Sequence, residues 1–322
     1  MLGLKSFIDH RILPSLRRGS TSIIHGHSPA PKHQIYDNTS DRIFFIIGLP
    51  KSAGNALRNT LGQCWANGPK DMANTPSIFA PSGLHVEYPL VDAVLQDFPE
   101  GGYYHSHVPA SYITLDFLHR HKIRHVILVR NPLDQMVSYY CHIVKHANMG
   151  TSPISPWKNS LATTNPQAPI PIRTFDKETT LEEAFSILIR RGYLESVMDW
   201  IGRWIAFRHE SLSVILTYER LMEDPKASVL SLIEFLQPML KEPTAGIESA
   251  TAAMGAYANA SLTQDAHNEY RAYSKGYTGC VGVYKAYMSA SNISEAAEAF
   301  YRFAESSPYG RDLAKLYPTI DS

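Results

Sequence analysis

Two apolar runs constrain this chain more than any other feature. Arg42-Ile43-Phe44-Phe45-Ile46-Ile47-Gly48 and His125-Val126-Ile127-Leu128-Val129 are rich in β-branched and aromatic residues. Neither shows the polar alternation of a half-exposed strand, so each reads as a strand buried on both faces, as in parallel sheets. Each leads through a loop into a helical pattern, at 56–64 after the first and at 132–145 after the second. Strand, tight loop, helix is the opening of a phosphate-binding α/β fold.

Residues 103–107 and 213–217 read as two further strands. Helical spacing appears at 88–98, 112–121, 181–190, 193–208, 226–236, 245–259, 294–304 and 310–316, whereas 66–84 reads as loop. Strands alternating with helices predict an α/β chain, a three-layer sandwich around a central, mainly parallel sheet. Residues 147–177 carry Pro153, Pro156, Pro166, Pro169 and Pro171 among Ser, Thr and Asn, and read as a lid or flexible loop. The expected organisation is an N-terminal extension over 1–40 and one domain over 41–322.

Lys plus Arg and Asp plus Glu both total 30. This balance argues against bulk electrostatic binding of nucleic acid or an anionic membrane, but leaves room for a local anion pocket. Cys64, Cys141 and Cys280 form no CxxC pair, so neither a zinc knuckle nor a disulfide framework is expected. A reducing, cytoplasmic setting is the simpler expectation. No apolar run approaches the ~20 residues of a membrane-spanning helix. Residues 1–35 carry Lys5, Arg11, Arg17, Arg18 and Lys32 against one acid, Asp9. An organelle transit peptide and a surface helix with a linker both fit that pattern.

The loop after the first strand is Gly48-Leu49-Pro50-Lys51-Ser52-Ala53-Gly54-Asn55-Ala56. Loop amides and a helix N-terminus converge there on one anion-binding spot. Lys51 brings a point charge, and Ser52 and Asn55 bring further donors. It is not the nucleotide-triphosphate loop, because Lys51 precedes Gly54 instead of following it. The second buried strand also ends in Arg130 and not in a magnesium-holding carboxylate. From Pro50 to Gly54 the segment resembles the phosphosulfate-binding loop of sulfotransferases, written P-K-S-G-T-T or P-K-T-A-G-T. Asn55 departs from a usual threonine, and Ala56 stands where the cytosolic branch has a tryptophan that stacks on adenine.

The second strand continues as Arg130-Asn131-Pro132-Leu133-Asp134-Gln135-Met136-Val137-Ser138-Tyr139-Tyr140. Asn131 is a natural N-cap with Pro132 at the first helical position. Arg130 then lies at a strand's C-terminal end, where open α/β sheets bind ligands. This stretch resembles the sulfotransferase pattern R-N-P-x-D-x-x-V-S-x-Y. The resemblance implies that Arg130 and Ser138 hold the 3′-phosphate of 3′-phosphoadenosine 5′-phosphosulfate (PAPS), the donor co-substrate, with no metal required.

His105-Ser106-His107-Val108-Pro109 resembles the K-T-H-x-P segment of the cytosolic sulfotransferases, with His105 in place of lysine. A histidine that titrates near neutrality can take the proton of an attacking hydroxyl. His107 is the expected base, and His105, on the same face of the strand, is the competitor. Tyr218-Glu219, leading to Asp224-Pro225, is similar to the family's strand-to-helix junction, which implies that Tyr218 meets adenine by stacking or through its hydroxyl. Lys275, Gly276 and Gly279 resemble the late R-K-G-x-x-G loop at the 3′-phosphate. These matches span residues 43–285 in family order.

The implied reaction is in-line sulfuryl transfer to a hydroxyl or amine of a small-molecule acceptor, with Lys51 stabilising the leaving phosphate. The implied donor site comprises Lys51, Ser52, Ala53, Gly54, Asn55, Ala56, Arg130, Ser138, Tyr218, Lys275 and Gly276. An ATP-using phosphotransferase and a non-catalytic nucleotide-binding protein of the same fold are the rival readings, and a homodimer stays open.

Overall fold

The computed structural model describes residues 43–64, 77–79, 85–87, 95, 102–148, 180–236, 243–263 and 281–318. The expectations for 1–40, for most of 147–177, and for Lys275, Gly276 and Gly279 lie outside the described residues.

The four expected strands form one parallel sheet. They are β1 (Ile43–Gly48), β4 (Gly102–Ser106), β5 (Arg124–Val129) and β6 (Ser213–Thr217). Their order is β4-β1-β5-β6. Every residue of β1 is buried, as its unbroken apolar run requires of a central strand. Side chains alternate between two cores. Ile43, Phe45, Ile47, Ile127 and Val129 enter one, and Phe44, Ile46, Val126 and Leu128 the other. Register pairs Phe44 with Tyr103 and Phe45 with Tyr104. The first pair stacks at 5.1 Å between ring centroids and the second meets edge to face at 5.4 Å. Cross-strand pairs of this kind add about 0.2–1 kcal/mol each beyond burial.

One helical layer covers the second core. It comprises α1 (Gly54–Leu61), α6 (Tyr218–Glu223), α7 (Pro225–Leu236) and α8 (Pro243–Thr263). The other layer comprises α2 (Tyr112–Arg120), α3 (Pro132–Asn148), α4 (Leu181–Arg190) and α5 (Tyr193–Phe207). It continues with α9 (Tyr284–Tyr287), α10 (Ala290–Ser306) and α11 (Gly310–Leu316). Helix starts follow cap chemistry. Ser111 accepts from Thr114 N, and Thr180 and Glu183 form a reciprocal capping box.

Several boundaries depart from the sequence reading. α1 begins at Gly54, two residues early, because the left-handed Ala53 turns the chain directly into the helix. The 66–84 stretch, read as loop, contains β2 (Ser77–Phe79), which pairs antiparallel with β3 (His85–Glu87). Three-residue strands are too short to show periodicity. Apart from Leu95, the helix expected at 88–98 lies outside the described residues. The short helices α6 and α9 were not expected. α6 starts because Thr217 caps it, its hydroxyl accepting from Arg220 N. Among the described residues no helix is long and apolar enough to cross a membrane.

Candidate functional site

Strand order locates the site before any side chain is considered. β1 connects outward to β4 on one side, whereas β5 connects to β6 on the other. The C-terminal ends of β1 and β5 therefore flank a topological switch point, where open α/β sheets bind ligands. The loop 49–53 and Arg130 lie at these two ends.

The first loop adopts a shape that its residues do not favour. Lys51 and Ala53 have φ of 69° and 66°, both left-handed and neither glycine. Such residues cost about 1–2 kcal/mol each and persist only where their surroundings over-determine them. Three hydrogen bonds supply that restraint. Leu49 N donates to Leu128 O at 2.9 Å, Gln135 Nε2 donates to Pro50 O at 3.0 Å, and Arg130 Nη1 donates to Lys51 O at 3.0 Å. Gln135 is itself held at 3.1 Å by the Tyr193 hydroxyl. The result is a turn entering α1, whose first-turn amides, at Gly54, Asn55 and Ala56, have no partner within the helix. No acid sits in that first turn. Ser52 is fully buried, yet its Oγ has no hydrogen-bond partner among the described residues. A buried orphan donor beside unused helix amides fits an anionic ligand. Asn55 is exposed and Ala56 half-buried against the second core. The Lys51 charge is felt at Cys141, where it opposes the burial that pushes that thiol up to about 11.

At the second junction, a buried cation lies near two carboxyls, the buried Asp134 and the half-buried Glu219. Arg130 is 2% exposed, and its guanidinium lies 4.1 Å above the ring centroid of Tyr218, itself 1% exposed. Arg130 thus stacks on Tyr218. Asn131 caps α3 as its sequence indicated, its Oδ1 accepting from Leu133 N at 2.9 Å. Its own N–H donates to Glu219 Oε1 at 2.7 Å. Asp134 accepts from Gly282 N at 2.7 Å and Tyr284 N at 3.1 Å, tying the start of α9 to α3. Burial raises both carboxyls above their ordinary range, against the opposing pull of Arg130 and of the backbone amides. Ser138 is 4% exposed on the same helix.

The two histidines differ sharply. His107 Nδ1 lies 2.6 Å from Gly48 O. A carbonyl only accepts, so Nδ1 carries the hydrogen and Nε2 carries the lone pair. The next residue is fixed from below, because Trp204 Nε1 donates to Val108 O at 3.2 Å. His105 lies at 5.0 Å from His107, ring to ring and edge to face. Burial, with the nearby His107 and Arg58, lowers His105 to about 3. It is therefore a poor proton acceptor near neutral pH.

Sequence reasoning missed Gln135, Trp204 and the bridging role of Glu219. Gln135 and Trp204 give no local signal, because they act through contacts 85 and 96 residues away. Glu219 was visible beside Tyr218, but not its bond across to Asn131. Among the described residues no group of three His, Cys, Asp or Glu is arranged to hold a metal.

A family model described as the sulfotransferase domain matches residues 41–306. The chain belongs to the sulfotransferase domain family. Sulfuryl transfer is the general activity that membership carries. Among solved structures, a mouse sulfotransferase, SULT7A1, complexed with PAP is similar, at 16% identity and a TM-score of 0.51. That match covers 86% of this chain and 89% of the other. Retinol dehydratase in complex with androsterone and the inactive cofactor PAP matches at 12% identity and a TM-score of 0.47, over 83% and 81% of the two chains. A sulfotransferase from Alicyclobacillus acidocaldarius matches at 14% identity and a TM-score of 0.34, over 67% and 95%. At 16% identity the likeness to the mouse enzyme is one of fold. No curated protein matches the chain in sequence.

Proposed function

We propose that this protein transfers the sulfuryl group of PAPS to a hydroxyl of a small-molecule acceptor, with His107 as general base. The observation that carries this reading is the 2.6 Å bond from His107 Nδ1 to Gly48 O at the mouth of the first loop. It fixes the ring at the end of the first strand, beside the first loop, and supports Nε2 as the nitrogen that accepts a proton. His107 is preferred to His105 because burial, with its charged neighbours, drives His105 down to about 3.

The donor, when bound, supplies the sulfuryl group and a phosphate leaving oxygen. Ser52 and the amides of Ala53, Gly54, Asn55 and Ala56 hold its 5′ end, and Lys51 neutralises the charge that grows on the leaving oxygen. Arg130 and Ser138 hold the 3′-phosphate, the feature that separates this donor from ATP. Arg suits that task because its planar fork binds phosphate in two places. Tyr218 contributes by supporting the Arg130 guanidinium from beneath. Lys275 and Gly276 complete the 3′-phosphate contacts in this reading. His107 accepts the acceptor's proton on Nε2 as its oxygen attacks.

The test is sulfuryl transfer from radiolabelled PAPS to a panel of alcohols, phenols and amines, followed against pH. His107→Ala should lower kcat by roughly 10²–10⁴-fold, the usual contribution of a positioned base. Affinity for 3′-phosphoadenosine 5′-phosphate (PAP) should be retained. An unchanged kcat in His107→Ala would remove the base assignment.

A further inference from the structure

His105 is a polar side chain that the base role does not use. Its ring reaches between the two ends of the first loop. A Cβ built on Gly54 would lie 2.0 Å from His105 Nε2, and one built on Gly48 would lie 3.2 Å from it. Nε2 therefore occupies the space that a side chain at position 54 would take, against the first residue of α1. That nitrogen is buried and has no hydrogen-bond partner among the described residues. Ser52 Oγ, two residues before Gly54, is likewise buried without a partner. Two orphaned polar atoms at one helix entrance, beside unused first-turn amides, are costly unless a ligand satisfies them.

We propose that His105 is a further donor-site residue, giving its Nε2 hydrogen to the anionic group held by the first loop. The inference rests on the reading that this loop binds the 5′ end of the donor. The ring needs no positive charge for the task, because an uncharged imidazole presents one N–H and one lone pair. Arg58 on α1 and the neighbouring His107 both disfavour its protonation, in addition to burial. Arg58 is anchored there through its backbone, whose carbonyl accepts from the Tyr103 hydroxyl at 2.7 Å. Tyr103 and His105 share a face of β4, so one strand sets both the helix and the donor. The same contact accounts for Gly54, since no larger residue leaves room for the ring.

The test uses the full chain and compares PAP with adenosine 3′-phosphate, which lacks the 5′ group, by isothermal titration. His105→Leu should weaken PAP by roughly ten- to a hundredfold, the range for one hydrogen bond to a charged group. Adenosine 3′-phosphate should bind it as it binds wild type. His105→Gln, whose amide N–H falls near the place of Nε2, should recover most of the PAP affinity. Equal binding of PAP by wild type and His105→Leu would overturn the proposal. So would an equal loss of both nucleotides, which marks a merely structural wedge. Failure of the wild type to bind PAP would overturn the donor reading and this inference with it.

Discussion

The two loops at the switch point hold their shapes by opposite means. The first is made of small residues in strained backbone, and other elements clamp its carbonyls. The second is relaxed backbone with a well-formed N-cap, but it buries one cation near two carboxyls, the buried Asp134 and the half-buried Glu219, both raised by desolvation. Arg130 belongs to both, since its Nη1 holds Lys51 O while its ring partner is Tyr218. A site for a ligand with two separated anionic ends needs both kinds of loop. Converging amides suit a group held along the backbone, and a rigid guanidinium suits a terminal phosphate.

The comparison breaks most severely at their shared residue. Arg130→Ala removes the cation near Asp134 and Glu219 and unclamps Lys51. A loss of about 2–5 kcal/mol is expected in urea unfolding, from the cavity left by a buried side chain together with the lost bond to Lys51 O. A loss below 1 kcal/mol would show that the two loops are not joined through it.

Next comes the backbone-held loop. Gly54→Ala places a methyl 2.0 Å from His105 Nε2. Overpacking of this kind costs about 1–3 kcal/mol. Much of that cost should return in the double variant Gly54→Ala/His105→Ala, measured as a coupling energy in a double-mutant cycle. Additive effects would mean the ring and the glycine are independent.

Ser52→Ala separates stability from binding. It removes a buried orphan hydroxyl, so the ligand-free protein should be unchanged or slightly more stable, by less than about 1 kcal/mol. PAP should bind more weakly. A Tm that falls while PAP affinity holds would make Ser52 a packing residue.

The smallest effect belongs to the second loop and depends on pH. Burial raises the Glu219 carboxyl above its ordinary 4.5, so the folded chain holds that proton when the unfolded chain has lost it. Stability contributed by this group is therefore present at low pH and falls as pH rises from 4.5 through the raised value. Glu219→Gln keeps an acceptor for Asn131 N–H and has no proton to lose, so its unfolding free energy should lack that downward slope. Parallel wild-type and variant curves would refute the assignment.

The sheet was legible in the sequence because parallel core strands leave continuous apolar runs, and all four strands fall within a residue or so of their expected limits. Arg130, Asn131, Ser52 and the two histidines were legible as well, because they stand in local patterns at strand ends. The means of holding them was not. Gln135 clamps Pro50 from another element, Asp134 reaches backbone amides at 282 and 284, and Trp204 supports Val108 from α5. Long-range contacts of that kind have no period and no spacing in the chain. The left-handed Lys51 and Ala53 were equally hidden, since neither residue type announces a positive φ.

The most direct measurement is thermal unfolding of the wild type and of Arg130→Lys with PAP, AMP, ADP and magnesium-ATP. A ligand at 100 times its Kd stabilises by about 2.7 kcal/mol, enough to move Tm by several degrees. PAP should shift the wild type well beyond AMP and ADP, and that preference should shrink in Arg130→Lys, which keeps the charge and loses the fork. Equal shifts with PAP and AMP, or a shift with magnesium-ATP alone, would contradict a site built for a 3′-phosphate.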